Sequence, residues 1–468
     1  MYGLGQARKL RKVSDHLIAP TSHKTIMGPE DHLCLHNPRW QPEKPYSMLF
    51  ACTVEVSHQA STLINMEKVL QSHFATTTYS VWTKFKEQGR VETENEIKKL
   101  INGFDIFLSQ CGKPVFDFNF YKRLKEINPR LLIVYLDGDS HMNFPTYTQW
   151  FIDDLDLFVS WDSIDVSDFV AQMGCRSICL GSPISKNDFY PIQDIKKDIN
   201  VSFYGGPKGD RKEFLAFIQE QKIGLQCFGD SFGGVRLSQI ELNRVINRSK
   251  IGLSFNKHNY VRDKMRMPKN FIISRQIKGH VFEYMLCETF VLSEYIENIN
   301  RFFVEGKEII SFDGKSDLLD KILYYLEHET DREEIAEAGH IKTMSHYEGT
   351  IQIAKIANLV VKCANIQRGH RETFSSVDAG YQVTPLSAQG TYRPTKKHFV
   401  NVQTALAFHF LKKGSLYLAI QQLRCLKYGF PYLFVRTQMK FLVFGFLGKW
   451  KQNLYKMVKY IRQFFFFS

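Results

Sequence analysis

The chain has 468 residues, of which 44% are hydrophobic, and its formal net charge is +13. This length excludes a single small domain and predicts two core-bearing units with extensions. Fourteen Lys and Arg residues lie from Arg393 onward, which leaves a net charge of −1 on everything before them and argues against a nucleic-acid partner. The nine cysteines are scattered without a CxxC pair, which argues against a disulfide framework and predicts a reducing, cytoplasmic compartment.

An irregular arm is predicted over residues 1–45. This stretch contains five prolines and no apolar segment of the kind found in signal peptides. We therefore expect neither secretion nor regular structure in this part of the chain.

Short apolar runs then alternate with stretches of helical periodicity, a pattern that is typical of parallel sheets covered on both faces. The predicted strands are 48–54, 105–109, 131–136, 156–160, 177–181, 201–205, 224–229, 250–255 and 289–293. The predicted helices include 59–72, 117–127, 211–222 and 236–248. Ser316 is predicted to cap a further helix that starts with DLLDKILYYLEHE.

The strands fall into two sets, separated near 190–200 by a linker that contains proline and charged residues. This division predicts an α/β protein of two Rossmann-like, doubly wound domains that face a cleft. The predicted boundaries are 46–195 for the N-terminal domain, 196–345 for the C-terminal domain, 346–370 for a helix returning toward the N-terminal domain, and 371–468 for a basic helical tail.

A glycine-rich turn follows the first strand of the predicted C-terminal domain. Gly205 and Gly206 lead through Lys208 to Arg211, which stands at the start of a predicted helix. Glycines let the backbone approach a diphosphate, the helix N-terminus attracts it and the cations neutralise it. An ordinary turn beside a surface arginine is the alternative. Neither GxGxxG nor GxxxxGK[ST] occurs, which weighs against standard dinucleotide and P-loop sites.

Polar residues also follow two strands of the predicted N-terminal domain. Asp137, Asp139 and His141 come after the LLIVYL strand, and His58 comes after the first strand. An aspartate or histidine at a strand end can act as a general base. Asp-Gly-Asp is equally typical of a turn, and such a pair of aspartates can also bind a divalent metal, which we disfavour here.

Three segments resemble the C-terminal domain of group-1-type glycosyltransferases. They are NRSKIGLSF (247–255), KGHVFEYMLCETFVLSEY (278–295) and FFVEGKEIISFDGKSDLLDKILYYLEHETDREEIAEAG (302–339). In particular they resemble the spore-maturation CgeB-like group, which reads approximately R-x-FE-x-x-A-C-G, an apolar strand, a glutamate and an EGKE turn before a helix pair. It covers about 200 to 345 well and extends loosely to the N-terminal domain.

The resemblance implies the GT-B fold, with a sugar nucleotide held mainly by the C-terminal domain and the acceptor by the N-terminal one. It implies that the Glu283 carboxylate accepts hydrogen bonds from both ribose hydroxyls. Glu294, at a second strand end, either faces the same cleft or forms a surface salt bridge. Neither a divalent metal nor another cofactor is expected.

Two residues depart from the family pattern. His280 stands where an arginine is usual and neutralises a diphosphate only when protonated, so Lys278, Arg275 and Lys269 are the cations that we expect to compensate. Glu288 stands where a glycine is usual, and its negative charge is compatible with an altered nucleotide or weakened activity.

The basic tail, residues 393–468, mixes regularly spaced Lys and Arg with aromatic and aliphatic residues. Its longest uncharged run, FLVFGFLG (441–448), is far shorter than the ~20 residues that a spanning helix needs. Basic residues attract anionic lipids while an aromatic face inserts, which predicts a peripheral position on the inner face of a membrane. A packed hairpin or a partner-binding surface is the alternative.

Three functions are compatible with the sequence. The favoured one is a glycosyltransferase that moves a sugar from a nucleoside-diphosphate sugar to a lipid-linked or cell-envelope glycan, with retention of configuration as in relatives that share the glutamate. The second is a catalytically degenerate scaffold or partner subunit. The third is a nucleotide-sugar epimerase, which needs neither an acceptor nor a membrane.

Overall fold

The computed structural model describes most of the chain between residues 46 and 369. The described ranges are 46–52, 61–110, 116–117, 119–140, 143–144, 148–206, 210–229, 237–256, 276–296 and 299–369. The predictions for the arm 1–45 and for the tail 371–468 lie outside these residues.

The N-terminal half of the described chain contains six strands. In chain order its elements are β1 Ser47–Cys52, α1 Ser61–His73, β2 Ala75–Ser80, α2 Val81–Leu100, β3 Ile106–Gln110, α3 Phe120–Ile127, β4 Leu132–Asp137, β5 Leu157–Ser160, α4 Ile164–Gln172 and β6 Arg176–Cys179. Single 3-10 turns span Ile101–Gly103, Thr148–Trp150 and Ile152–Asp154.

The C-terminal half contains five further strands. Its elements are β7 Ile199–Tyr204, α5 Arg211–Glu220, β8 Leu225–Phe228, α6 Gln239–Arg248, β9 Ser249–Ser254, α7 Gly279–Leu286, β10 Phe290–Glu294, a 3-10 turn Ile299–Arg301, β11 Ile310–Phe312, α8 Lys315–Glu327, α9 Glu329–His346 and α10 Gly349–Gln367.

The strands form two separate parallel sheets. Their orders are β2-β1-β3-β4-β5-β6 and β8-β7-β9-β10-β11, so the first five strands of each sheet follow the same second-first-third-fourth-fifth order. This is one of the two common orders of doubly wound α/β proteins. The prediction of an α/β fold with two doubly wound units is confirmed.

Both sheets are buried because helices cover their two faces. All six residues of β4 are buried, as expected for a strand whose sequence LIVYLD is almost continuously apolar. The final helix α10 lies in the predicted returning segment, and its Ile353, Ile356 and Val360 share one hydrophobic cluster with Met48 and Leu132 of the N-terminal sheet. The six cysteines among the described residues are free thiols, and five of them are buried.

Two strands were not predicted, and one predicted N-cap differs from the structure. β2 (ATTTYS) and β11 (ISF) were not predicted, because β2 is a polar edge strand in which only Tyr79 is buried and β11 has three residues. The prediction that Ser316 caps a helix is wrong, since α8 starts one residue earlier and Gly314 is its N-cap. The Asp317 carboxylate accepts a 2.8 Å hydrogen bond from the backbone N–H of Asp313 at this helix start.

The two units are joined by backbone and side-chain contacts. Ile184 accepts a 2.7 Å hydrogen bond from the Gly349 N–H at the start of α10. Asp168 on α4 forms a buried ion pair with Arg301, at 3.1 Å. None of the helices in the described ranges has the length and the apolar character needed to cross a membrane.

Candidate active site

The candidate site lies at the carboxyl edge of the second sheet, between β7 and β9. The chain leaves β7 toward β8 and leaves β9 toward β10, in opposite directions, and this reversal creates a crevice between the two strand ends. In open parallel sheets such a crevice is the usual place for a ligand. Gly205 stands on one side of it, and Phe255 and Asn256 stand on the other.

Glycine is required at the two turns beside this crevice. Gly205 and Gly229 have φ angles of 120° and 126°, a region that side-chain-bearing residues rarely adopt. A Cβ on Gly229 would lie 3.0 Å from the Gly205 carbonyl oxygen, and one on Gly205 would lie 3.3 Å from Cε1 of His280. No side chain therefore projects from the backbone at Gly205, at the end of β7, which agrees with the glycine-rich turn that the sequence pattern predicts.

Helix α7 brings His280 and Glu283 to the same strand end. The His280 ring lies 4.4 Å from the ring of Tyr204, measured between centroids. The Tyr204 hydroxyl donates a hydrogen bond to Oε2 of Glu283. Burial among these groups raises the pKa of Glu283 to about 7, and the hydrogen bond from Tyr204 opposes that shift. The carboxylate predicted to bind ribose is thus partly buried beside the glycine turn.

The position of α7 is fixed by close packing on β9. Gly252 allows this approach, because a Cβ there would lie 2.3 Å from the Tyr284 ring. The Tyr284 hydroxyl donates a 3.1 Å hydrogen bond to the carbonyl of Ser202 on β7. One residue of α7 is thereby tied to the strand that ends at the site.

Arg211 occupies the crevice but is directed at the backbone. Its guanidinium donates to the carbonyls of Gly206, at 3.3 Å, and Phe255, at 3.1 Å, and the residue is only 5% exposed. Burial lowers its pKa, and the nearby Glu294 carboxylate opposes that shift. In this conformation Arg211 joins the turn after β7 to the end of β9, while its role toward a diphosphate stays a prediction.

Glu294 lies beneath the crevice rather than at the surface. It is 1% exposed, and its Oε2 accepts a 2.9 Å hydrogen bond from the backbone N–H of Asn256. The Asn256 side chain in turn donates 2.7 Å to the Ser293 hydroxyl. The alternative of a surface salt bridge is therefore wrong, and Glu294 shapes the end of β9.

The other residues predicted to bind the sugar nucleotide, or to compensate for His280, fall into three groups. Lys278 is the half-buried N-cap of α7. Glu288 is exposed and follows the end of α7 with a φ of 54°. This left-handed conformation after a helix favours glycine, which is the residue that the family usually has at this position. Lys208, Lys269 and Arg275 lie outside the described residues.

Asp137 is a buried network residue rather than the accessible base that the sequence suggested. It is 0% exposed, and its oxygens accept hydrogen bonds from Asn143 Nδ2 at 2.6 Å, Asp139 N–H at 3.2 Å and Thr148 Oγ1 at 3.3 Å. Burial, with the neighbouring Asp162 carboxylate, raises its pKa to about 8. With both oxygens bonded to protein donors, Asp137 is also a poor metal ligand.

The three other predicted general bases are Asp139, His58 and His141. Asp139 is exposed at the same strand end and stays a candidate. His58 and His141 lie outside the described residues.

Sequence reasoning missed two residues of this region. Tyr204 is the residue before the final glycine of the predicted strand VSFYG, and Asp162 is the second residue after the predicted strand DLFVS. Their positions at strand ends were the available signal, whereas the partners that they find are distant in sequence: Tyr204 bonds Glu283, and Asp162 bonds Gln276.

Similar solved structures include Anabaena Alr3699/HepE in complex with UDP and glucose, at 12% identity and a TM-score of 0.48, over 68% of this chain and 99% of that one. Sucrose-phosphate synthase (tll1590) from Thermosynechococcus elongatus has 9% identity and a TM-score of 0.44, over 68% and 98%. A glycosyltransferase from Rickettsia africae ESF-5 has 11% identity and a TM-score of 0.46, over 68% and 98%.

Among curated proteins, none has a matching sequence. Residues 211–357 match a family model described as Glycosyl transferase-like. The matched segment begins with α5, includes α7 with His280 and Glu283, and ends within α10. Residues 211–357 of this chain are thus similar to the Glycosyl transferase-like family.

Proposed function

We propose that the protein is a glycosyltransferase that uses a nucleoside-diphosphate sugar. The observation that carries the proposal is the position of Glu283, on a helix at the β7–β9 switch point and beside the bare turn at Gly205. A carboxylate there suits the two adjacent hydroxyls of a ribose. The family match over residues 211–357 independently supports the same class of reaction.

In the proposed reaction the acceptor hydroxyl oxygen bonds to the anomeric carbon of the donor sugar. The bond from that carbon to the diphosphate breaks, the nucleoside diphosphate leaves, and the acceptor proton passes to a base, for which exposed Asp139 is the candidate among the described residues. Negative charge on the diphosphate is met by the N-termini of α5 and α7, with Lys278 and protonated His280. Because protein groups meet this charge, we expect transfer to persist in the presence of EDTA.

We propose a lipid-linked or cell-envelope glycan as the acceptor, at a membrane surface. The support is the sequence of residues 393–468, which contains fourteen Lys and Arg residues and no acidic one and lies outside the described residues. Such a tail favours an anionic surface. The proposed retention of configuration and the proposed membership of the CgeB-like group both rest on the motif around Glu283.

The test follows UDP-, GDP- and ADP-glucose by NMR in the presence of glycolipid-bearing vesicles. Release of a nucleoside diphosphate together with an α-glycosidic product from an α-linked donor would support retaining transfer. A β-linked product would overturn retention while keeping the transferase.

The alternatives give different spectra in the same experiment. Conversion of the sugar without loss of the nucleotide would identify an epimerase. Binding without turnover, or no binding at all, by a demonstrably folded protein would favour a scaffold.

A further inference from the structure

Asp162 connects the N-terminal sheet to the segment that leads into α7. It follows β5 at the carboxyl edge of the first sheet and is 3% exposed. Its backbone carbonyl accepts a 2.9 Å hydrogen bond from the Ile277 N–H, and its Oδ2 accepts one from the side-chain amide of Gln276. Gln276 and Ile277 stand directly before α7, which starts at Gly279.

The Asp162 carboxylate is itself held firmly within the first unit. Its Oδ1 accepts hydrogen bonds from the Ser140 N–H, at 3.0 Å, and from the Ser160 hydroxyl, at 3.2 Å. The Ser160 hydroxyl also accepts a 2.7 Å bond from the Ser140 hydroxyl. Asp162 therefore presents Oδ2 to Gln276 from a fixed position, since Oδ1 is bonded at two points.

The same segment is tied on its other side to the second sheet. The Gln276 N–H donates a 3.1 Å hydrogen bond to the Asn256 carbonyl, which lies just past the end of β9. The entry to α7 is thus held between β9 of its own unit and Asp162 of the other. A shift of Asp162 would change the direction in which α7 starts, and with it the positions of His280 and Glu283.

We propose that Asp162 is a positioning residue for the sugar-nucleotide site, through which the acceptor-side unit sets the placement of α7. The effect on sugar-nucleotide affinity rests on the proposed function, whereas the effect on the order of α7 does not. The hydrogen bond from Gln276 to Asp162 is buried and charge-assisted. Its loss is therefore expected to change the opening equilibrium of α7, and the affinity for the sugar nucleotide, by about tenfold.

The test compares three variants of the full chain. In Asp162→Asn, the side chain keeps an oxygen for Ser140 and Ser160, but the charge-assisted bond to Gln276 is lost, and a turned-over Gln276 carboxamide can replace it only with a neutral bond. In the double variant Asp162→Asn with Gln276→Glu, donor and acceptor exchange places and the bond is restored. Asp168→Asn is the matched control, because Asp168 is similarly buried and bonds Arg301 of the second unit rather than Gln276 or Ile277.

The readouts are amide hydrogen exchange over residues 281–287 and the Kd for the sugar nucleotide. We expect Asp162→Asn to lower the protection of α7 and raise the Kd, each by about tenfold, the double variant to recover both, and Asp168→Asn to change neither. Equal loss of α7 protection in Asp162→Asn and Asp168→Asn, or no recovery in the double variant, would overturn the inference.

The experiment distinguishes failure of the proposed function from failure of the positioning role. If the unchanged protein binds no sugar nucleotide, the proposed function fails, and the exchange of α7 still decides the positioning role. If Asp162→Asn does not fold, Gln276→Leu replaces it, since that change leaves the bonds of Asp162 to Ser140 and Ser160 intact. Unaltered α7 protection in Gln276→Leu would then contradict the inference.

Discussion

Tyr204, the last residue of β7, donates its phenolic hydrogen bond to the Glu283 carboxylate on α7. This contact joins the end of β7 to the helix that carries the family motif. It also stabilises the ionised form of Glu283, whereas burial raises the pKa of this carboxyl group to about 7. A ribose that bonds Glu283 through its hydroxyls would take over the place of the Tyr204 donor.

The affinity for a sugar nucleotide should therefore depend on pH through Glu283. The ionised carboxylate accepts hydrogen bonds from both ribose hydroxyls, so the part of the affinity that Glu283 supplies should strengthen as pH rises through about 7. The diphosphate contact of protonated His280 has the opposite pH dependence, so the Glu283 part is identified by its response to Tyr204→Phe. Tyr204→Phe removes a bond to the ionised form and should move the midpoint to higher pH. Titration calorimetry measures this affinity at a series of pH values. The ligand is the sugar nucleotide rather than the free nucleoside diphosphate, because the terminal phosphate of the latter would itself titrate near pH 6.

Tyr284→Phe is the matched control for this prediction. Its hydroxyl is also buried, but it bonds Ser202 rather than Glu283. An identical midpoint in the Tyr204→Phe and Tyr284→Phe variants would show that Glu283 does not govern the titration.

Asp137 should make the protein less stable as the solution becomes more basic. Its pKa is raised from 3.8 to about 8, so between pH 5 and pH 7 the folded protein holds a proton that the unfolded chain has lost. The free energy of unfolding then falls by about 1.4 kcal/mol per pH unit from this group. Asp137→Asn keeps an oxygen for Asn143 and should remove this slope.

Denaturant unfolding at a series of pH values measures the slope. The exposed Asp139→Asn is the control and should follow the unchanged protein. The same slope in Asp137→Asn as in the unchanged protein would contradict a protonated, buried Asp137.

Glu288→Gly should stabilise the protein by about 1 kcal/mol. The residue has a φ of 54° at the end of α7, where a Cβ is strained and a glycine is not. The Lys197 ammonium bonds the Glu288 carbonyl, at 3.1 Å, and this contact survives the change. Glu288→Ala distinguishes the cause, since an equal gain with alanine would assign the effect to the side-chain charge instead of the backbone.

The basic tail should bind vesicles in proportion to their negative charge. Replacing Lys449, Lys451, Lys456 and Lys459 by Gln should weaken binding to phosphatidylserine-containing vesicles by about 4 kcal/mol, at about 1 kcal/mol for each charge. Replacement of the same four residues by Arg keeps the charge and should preserve binding. Co-sedimentation measures both, and equal binding to neutral phosphatidylcholine vesicles would refute the electrostatic account.

The sequence was sufficient for the strands that carry apolar runs and for the motif that places Glu283 on a helix. It was insufficient for β2, because an edge strand with three consecutive threonines has no apolar run to detect. It also misjudged Asp137, which the Asp-Gly-Asp pattern marks as a turn but which Asn143 and Thr148 enclose in a buried network. Burial of a polar strand end depends on contacts across the fold, and local spacing does not encode them.

The most direct test of the account is calorimetric titration of the protein with UDP-, GDP- and ADP-glucose, beside Glu283→Ala and Glu283→Gln. The exposed Glu334→Ala on α9 is the control. We predict that one sugar nucleotide binds selectively and that Glu283→Ala weakens it at least about tenfold, because a charged acceptor of two hydrogen bonds is lost. Binding by none of them to the folded protein, or equal binding by Glu283→Ala and Glu334→Ala, would contradict a sugar-nucleotide site at Glu283.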